Sequence, residues 1–278
     1  MKEFSIWRFA ALLATTILAA HAGSLSAQTL SPTFNTSWVG DSFVNRDGNA
    51  WVPKYFELRL YSVTSNKLFG VLERFRDTVE PARRKHAITT VGYWTAGTTN
   101  GDKFIYLLAA PNKTDLKERE EQFSADTDFK SGYAASTAKY GQTVDKIVSF
   151  PLNAEPDSNY DFASSKTPRA FELRIYSLSP GKLDAFRNRW RDHVVPIYKR
   201  HGLRNIGWWV VSEKDVEGYN MFVCLLAGDT IDANQRSVGE FHEDPELRNI
   251  EQETEANGRF GSHVAAYKLV PVDFSPLK

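Results

Sequence analysis

The feature that most constrains the fold of this chain is an internal repeat. The segment FELRLYS at 56–62 recurs as FELRIYS at 171–177, an offset of 115 positions. Between 56–97 and 171–212, 16 of 42 aligned positions are identical, whereas unrelated segments would agree at about one position in twenty. A chain that repeats itself in this way is built from two copies of one structural unit.

Within each copy, the spacing of apolar residues predicts a strand followed by a helix. Phe171, Leu173 and Ile175 alternate with polar residues, which indicates a strand with two different faces. The next segment, GKLDAFRNRWRDHVVPIYKRHG, has apolar side chains at steps of three and four, which form one face of a helix. Pro196 lacks an amide proton and should kink or split this helix, and Gly202 favours a left-handed stop after it.

The rest of each copy predicts two strands, a second helical region and a final strand. In the second helical region, Asp244 followed by Pro245 is a favourable helix start. The resulting β-α-β-β-α-β order is that of a ferredoxin-like module, so the fold class is α+β. The predicted strands are 206–212, 219–227 and 263–270 in copy two, with 91–97, 104–110 and 143–150 in copy one.

The two modules should pair with each other inside one chain. A four-stranded sheet covered by helices on one face leaves its other face bare, and packing two such sheets together covers both. The segment between the copies is rich in proline and small polar residues and is interpreted as a linker. The predicted organisation is signal peptide 1–27, N-terminal extension 28–53, module 1 at 54–151, linker 152–168, module 2 at 169–272 and C-terminal tail 273–278.

The start of the sequence is typical of a signal peptide. Residues 9–20 are apolar and uncharged and follow Lys2 and Arg8. A bilayer span needs about 20 apolar residues, so this stretch is too short for a stable membrane anchor. Two small-residue cleavage sites follow, and we expect cleavage after Ala27. An exported protein, periplasmic or extracellular, is the resulting prediction.

The repeated motifs resemble those of the NIPSNAP family. ELRLY or ELRIY is followed by Lys67-Leu68 or by Pro180-Gly181-Lys182-Leu183, then by a proline and a histidine late in the first helix, then by Gly-aromatic-Trp. The resemblance covers about 54–151 and 169–272, and it implies a dimeric α/β barrel, here intramolecular. Its wider superfamily includes cofactor-free monooxygenases, isomerases and haem enzymes. Copy one departs from the motif where Ser65-Asn66 replaces Pro180-Gly181 and Phe75 replaces Trp190, so we expect copy two to keep any site.

Charge and cysteine content exclude several kinds of partner. Lys+Arg and Asp+Glu are both 34, so no chain-wide basic field exists to hold nucleic acid. The single cysteine, Cys224, excludes an intramolecular disulfide and a thiolate metal cluster. Pro245 interrupts the helix that His242-Glu243-Asp244 would need to hold a metal, and no phosphate loop or haem-attachment motif occurs. We therefore expect no metal and no cofactor, while a homo-oligomer stays open.

Two histidines at equivalent positions have two interpretations. His86 and His201 lie at the C-terminal end of the first helix of their copies. A histidine there can simply favour the helix macrodipole in its cationic form. Alternatively, His201 donates or accepts a proton in a cavity between helix and sheet, because imidazole titrates near neutral pH.

The first strands and the tryptophans supply the remaining candidates. Arg59 with Glu57 and Tyr61, and Arg174 with Glu172 and Tyr176, place an acid, a base and a phenol on one face of each strand. If the two sheets share this face, the six groups form a mutually neutralising buried network; otherwise, Arg59 and Arg174 form a pocket for a carboxylate. Large aromatic side chains either fill a core or wall the pocket of a flat ligand. The candidate aromatic residues are Trp94, Trp190 and Trp209.

Three functions fit these features. The first is binding of a small, partly apolar molecule in a barrel pocket. The second is a cofactor-independent oxygenase or isomerase that uses His201. The third is a non-catalytic protein-interaction module. A closed pocket of several hundred cubic ångströms near His201 favours the first two, and a filled interior favours the third.

The signal peptide gives a direct prediction. Export should remove residues 1–27, because the apolar segment is followed at the usual distance by a small-residue site ending in Ala27. The intact mass of the exported protein should correspond to a chain that begins at Gln28. A mature protein that retains Met1 would contradict the prediction.

Overall fold

The computed structural model describes residues 37–39, 42–44, 48–163, 165, 169–214 and 218–278. The predicted signal peptide and its cleavage site lie outside the described residues. In the described part, the strands are β1 (Ser37–Val39), β2 (Ser42–Val44), β3 (Ala50–Trp51), β4 (Tyr55–Val63), β5 (Thr89–Thr98), β6 (Gly101–Ala110), β7 (Val144–Ala154), β8 (Ala170–Leu178), β9 (Arg204–Val211), β10 (Asn220–Gly228) and β11 (Gly261–Pro271). The α-helices are α1 (Leu68–Arg74), α2 (Glu80–Lys85), α3 (Lys113–Ala125), α4 (Thr127–Tyr140), α5 (Leu183–Arg189), α6 (Val195–Arg200), α7 (Ile231–Glu243) and α8 (Pro245–Thr254).

Each copy has the predicted order of elements. Copy one runs β4, α1–α2, β5, β6, α3–α4, β7, and copy two runs β8, α5–α6, β9, β10, α7–α8, β11. The second helical region is a pair of helices in both copies. Asp126 and Asp244 begin the second helix of each pair, since their carboxylates accept the backbone N–H groups of Phe129 and Glu246. The predicted start at Asp244 is therefore confirmed.

The two four-stranded sheets close into one antiparallel barrel. Around the barrel the order is β10-β8-β11-β5-β6-β4-β7-β9, and β9 pairs with β10 to complete it. The copies meet where β11 pairs with β5 and where β7 pairs with β9. The last strand of each copy thus adds to the second strand of the other. This confirms the intramolecular α/β barrel.

Apolar side chains fill the interior of the barrel. Phe56 and Leu58 of β4 and Phe171 and Leu173 of β8 are among the buried residues of the central core. The space at the centre is about 10 Å³, which is no more than one water molecule occupies. The barrel therefore has a packed core in place of a lumen.

The two sheets share their apolar faces, so the condition for a polar network common to both copies is not met. On β4, Leu58 faces the central core, so the alternating residues Glu57, Arg59 and Tyr61 face outward. Arg59 donates a hydrogen bond to Glu120 of α3, which places it under the helices. The acid, base and phenol of each copy form their own cluster between sheet and helices, because the apolar faces take the interior.

The first helix of each copy contains a wider turn before its proline. Residues Phe75–Val79 and Trp190–Val194 are π-helical, with the Val195 N–H donating to the Trp190 carbonyl five residues earlier. Pro196 has no N–H for the carbonyl four residues before it, and its ring needs space there. The helix continues without a break from Leu183 to Arg200, so the predicted kink or split appears only as a change to a π-helical turn just before Pro196.

Two arms tie the copies together beyond the barrel. The first arm, residues 155–163, follows β7 and crosses to copy two, where the Trp208 N–H donates to Ser158 Oγ at 2.9 Å. The second arm, residues 272–278, follows β11 and crosses to copy one, where the Tyr93 N–H donates to Ser275 Oγ at 2.9 Å. The predicted linker and tail are equivalent segments, each bound to the other copy. Among the described residues, no helix is both long and apolar enough to span a bilayer.

The barrel predicts that one module alone is unstable as a monomer. A fragment of residues 169–272 should dimerise or aggregate, because its inner sheet face and the edges of β9 and β11 lose their partners. Analytical ultracentrifugation of the fragment, with the full chain as control, measures this. A well-behaved monomer of the fragment would contradict the dependence of each module on the other.

Candidate functional site

The candidate tryptophans of the second strands lie inside the barrel. Trp94 of β5 and Trp209 of β9 line the small central space together with leucine side chains. Both are buried, and within the described part of the chain neither indole N–H has a hydrogen-bond partner. Both tryptophans therefore belong to the hydrophobic core. The first arm extends this core, because Tyr160 stacks on Trp209 with 5.5 Å between the ring centroids.

The two candidate histidines make the same contact in both copies. His86 Nε2 lies 2.8 Å from Asp126 Oδ2, and His201 Nε2 lies 2.7 Å from Asp244 Oδ2. Hydrogen bonds from Arg200 and His201 lower the pKa of Asp244 well below its usual range. Each histidine therefore links the end of the first helix to the aspartate that begins α4 or α8.

In copy two, three predicted candidates come together between the sheet and the first helix. Arg174 donates Nε–H to Glu172 at 2.5 Å, and Arg174 Nη1 lies 3.5 Å from the Tyr176 hydroxyl. The ring of Tyr176 lies 5.7 Å from that of Trp190, the first residue of the π-helical turn. His201 and Trp209 do not join this group, which we call the copy-two cluster: Glu172, Arg174, Tyr176, Trp190 and Tyr198.

Tyr198 belongs to the copy-two cluster but was not among the predicted residues. It is fully buried on α6, stacks on Phe241 at 3.9 Å and lies 5.9 Å from the Arg174 guanidinium. Burial raises the pKa of Tyr198 well above its usual value. Within the described residues, the Trp190 indole N–H has no hydrogen-bond partner. The Tyr198 hydroxyl interacts with the Tyr176 hydroxyl but has no acceptor in good hydrogen-bond geometry. The copy-two cluster thus contains two buried donors without well-placed acceptors.

In copy one, the equivalent place holds hydrogen-bonded charges. Arg59 donates to Glu57 and to Glu120, both at 2.6 Å, and its Nη1 lies 3.4 Å from the Tyr106 hydroxyl. The hydroxyls of Tyr61 and Tyr106 are 2.9 Å apart. Arg59 was a predicted candidate and lies at the outer edge of this group. The group is the copy-one cluster: Glu57, Arg59, Tyr61, Arg83, Tyr93, Tyr106 and Glu120.

Arg83 and Tyr93 form the inner part of the copy-one cluster. The Arg83 guanidinium donates to the Tyr93 hydroxyl at 3.0 Å and lies 4.4 Å from the centre of the Tyr106 ring. The Tyr93 hydroxyl in turn donates to Glu80 Oε2 at 2.5 Å. Burial raises the pKa of Tyr93 above its usual value.

The sequence contains a signal for the cluster residues that were not among the predicted candidates. Aligning the copies places Arg83 opposite Tyr198, Phe75 opposite Trp190 and Tyr93 opposite Trp208, at the offset of 115. Beyond a loop insertion the offset becomes 118, which places Tyr106 opposite Cys224. These substitutions between copies mark the positions that line each cluster. In the described residues, no group of three or more His, Cys, Asp or Glu side chains is placed to hold a metal ion.

The fold and the clusters define the class of protein. Two ferredoxin-like modules that close one antiparallel barrel, with polar clusters between sheet and helices, are a dimeric α/β barrel within one chain. The NIPSNAP family model matches residues 56–158 and 171–276. The chain belongs to the NIPSNAP family, as the repeated motifs predicted.

Comparison with solved structures gives the same fold at low sequence identity. An anthrone oxidase-like protein is 13% identical with a TM-score of 0.52, and the match covers 81% of this chain and 94% of that one. A candidate monooxygenase from Lactobacillus acidophilus is 10% identical with a TM-score of 0.51, covering 79% and 94%. Another candidate monooxygenase, from Fusobacterium nucleatum, is 8% identical with a TM-score of 0.50, covering 80% and 93%. Similarity at this level establishes the fold alone.

A search of curated proteins finds no match to this chain.

The shared histidine contact predicts equal effects in the two copies. His86→Ala and His201→Ala should each lower the free energy of unfolding by about 0.5–1.5 kcal/mol, the value of one hydrogen bond, because each removes one bond to a helix-starting aspartate. Urea denaturation of both variants and the wild type measures this. A loss confined to His201→Ala would contradict an equivalent structural role.

Proposed function

We propose that this NIPSNAP protein binds a small, partly apolar molecule with a negatively charged acceptor oxygen in the copy-two cluster. The observation that carries the proposal is a pair of buried donors without well-placed acceptors, Trp190 Nε1 and the Tyr198 hydroxyl, next to Arg174. A buried donor without a partner costs about 1–3 kcal/mol. A ligand carboxylate or enolate oxygen that accepts from both donors removes that cost.

The surroundings of the two donors favour an aromatic ligand. Phe186, Phe222 and Tyr176 surround the Trp190 ring, with centroid distances of 5.9, 4.9 and 5.7 Å. These side chains offer apolar contact on several sides, as in most small-molecule sites. Burial lowers the pKa of Arg174, but the neighbouring Tyr176, Tyr198 and Glu172 outweigh it and hold that pKa above its usual value. Arg174 is therefore cationic and already paired with Glu172, so it orients an acceptor oxygen without supplying an unpaired charge.

The first helix of copy two is the element that has to move to admit such a ligand. Its π-helical turn, Trp190–Val194, carries Trp190 and precedes Tyr198. Turns of this kind occur frequently at functional sites. His201 holds the far end of this helix through Asp244, and a direct contact between His201 and the ligand stays a prediction.

The centre of the barrel is too small for a small-molecule ligand. The centre of the barrel holds about 10 Å³, far below the several hundred cubic ångströms of a typical ligand site. This filled interior supports an alternative function, that of a non-catalytic protein-interaction module. Export through removal of residues 1–27 is part of either proposal and is supported by the apolar segment at 9–20.

The experiment titrates 1-naphthoate into the full chain by calorimetry, with the neutral 1-naphthalenemethanol as the control compound. We expect 1-naphthoate to bind more tightly than the alcohol. Trp190→Phe and Tyr198→Phe should each weaken 1-naphthoate binding roughly two- to tenfold, because each removes one hydrogen bond of about 0.5–1.5 kcal/mol. Trp190→Phe introduces the residue that copy one has at the equivalent position, Phe75.

Stability measurements separate binding from packing. Tyr198→Phe should leave the free energy of unfolding of the free protein unchanged or higher, because it removes an unsatisfied hydroxyl. The matched control Tyr93→Phe removes a hydroxyl that is bonded to Arg83 and Glu80, so it should destabilise the protein without changing naphthoate binding. Equal naphthoate affinity of wild type, Trp190→Phe and Tyr198→Phe would overturn the proposed site and leave the interaction module.

A further inference from the structure

The copy-one cluster contains a phenol in unusual surroundings that the copy-two proposal does not use. Tyr106 is fully buried on β6, and its hydroxyl lies 2.9 Å from that of Tyr61 and 3.4 Å from Arg59 Nη1. Its ring lies beneath the Arg83 guanidinium at 4.4 Å. Copy two has Cys224 and Tyr198 in place of Tyr106 and Arg83, so copy two lacks this arrangement.

Arg83 is a buried cation that lacks an anionic partner. Only 3% of it is exposed, and its hydrogen bond goes to the neutral hydroxyl of Tyr93. In the described part of the chain, no carboxylate forms an ion pair with Arg83, whereas Arg59 has both Glu57 and Glu120. Buried charges are normally paired, and a negative charge on the Tyr106 oxygen would provide the missing partner.

The charges around Tyr106 favour its deprotonated form. Burial raises the pKa of a phenol, but the guanidiniums of Arg83 and Arg59 outweigh burial and lower the pKa of Tyr106 below its usual value. Burial and the neighbouring Tyr106 raise the pKa of Tyr61 well above its usual value. Tyr106 therefore loses its proton first, and Tyr61 stays a donor. The ionisable groups that face Tyr106 from the packed elements are Glu57, Arg59 and Tyr61 of β4, Glu80 and Arg83 of α2, Tyr93 of β5 and Glu120 of α3.

The outer edge of the copy-one cluster reaches solvent. Tyr61 is half-buried, and 18% of the Arg59 side chain is exposed. Ile147 of β7 lies opposite Tyr61 in the sheet and is 40% exposed. A small molecule can therefore contact Tyr61, Arg59 and an apolar side chain at the surface, while Tyr106 stays behind them.

We propose that Tyr106 and Tyr61 form a proton-transfer site for a small carbonyl compound with an acidic neighbouring C–H bond. That C–H bond breaks, its electron pair forms a C=C bond, and the carbonyl oxygen takes the negative charge, which Arg59 stabilises. The proton passes to the Tyr61 oxygen while the Tyr61 proton passes to the Tyr106 phenolate. Return of a proton to carbon or to oxygen completes exchange or tautomerisation, and no oxidant is consumed. In this scheme Tyr61 touches the substrate, and Tyr106 and Arg83 act through Tyr61.

The first test is spectroscopic and needs no substrate. Phenolate absorbance of the full chain is followed in the near ultraviolet as the pH is raised toward 11. We expect one phenolate to appear clearly below the usual tyrosine pKa of about 10. Tyr106→Phe should abolish it, and Arg83→Gln should move it to higher pH. Tyr133→Phe, at an exposed tyrosine of α4 outside both clusters, should leave it unchanged. Absence of an early phenolate in the wild type would overturn the proposal.

The second test measures proton transfer itself. Phenylpyruvate in D2O is the probe, and proton magnetic resonance follows the loss of its C3 protons with and without protein. The protein should accelerate exchange, and Tyr61→Phe and Tyr106→Phe should each reduce the acceleration by about 100-fold, as expected for loss of a general base. Tyr133→Phe is the control and should keep full exchange, because Tyr133 is exposed on α4 and lies outside both clusters.

The two tests together keep the proposal open to refutation. If Tyr106→Phe does not fold by circular dichroism, Arg83→Gln replaces it, and a wild-type exchange rate in that variant would overturn the proposal. Exchange that survives in Tyr61→Phe would do the same. Since naphthoate binding is assigned to the copy-two cluster, the failure of either proposal leaves the other unaffected.

Discussion

Each four-stranded sheet has one apolar face, and the rest of the structure depends on how the two faces cover each other. Full burial of a Leu, Ile or Phe side chain stabilises the fold by about 1.5–3 kcal/mol, more than the 0.5–1.5 kcal/mol of a typical hydrogen bond. Leu58 and Leu173 therefore face the interior, and their polar neighbours Arg59 and Arg174 must point to the helices. The position of both polar clusters follows from this preference.

The helices then determine what each cluster can do. In copy one, Arg83 and Glu120 come from α2 and α3, and they turn the cluster into a set of charges and phenols bonded to one another. In copy two, Tyr198 and Trp190 of the first helix bring aromatic rings and two donors without well-placed acceptors. The two clusters share a scaffold but differ in what they leave unpaired. In copy one the buried cation Arg83 has no carboxylate partner among the described residues, whereas in copy two neutral donors lack well-placed acceptors.

Much of the fold could be predicted from the sequence, and less of the candidate site. The repeat, the strand alternation around Leu173 and the helix start at Asp244 identify two ferredoxin-like modules. Alternation shows that Leu58 and Arg59 lie on opposite faces, but it does not say which face points inward, so a polar network shared by the two sheets could only be a conditional expectation. Tyr106 and Arg83 are 23 residues apart in sequence, and only the packing of α2 on β6 brings them together.

The crossing arms affect how the sequences of the two halves can diverge in evolution. In a dimer of two identical chains, any substitution appears in both chains. The same position therefore cannot hold an arginine in one half and a tyrosine in the other. Here the first arm joins the halves covalently, and Ser158 and Ser275 keep each half bound to the other. One chain can therefore place Arg83 in one half and Tyr198 in the other. Linking the halves releases them from symmetry, so that a single molecule can carry two different chemistries on one scaffold.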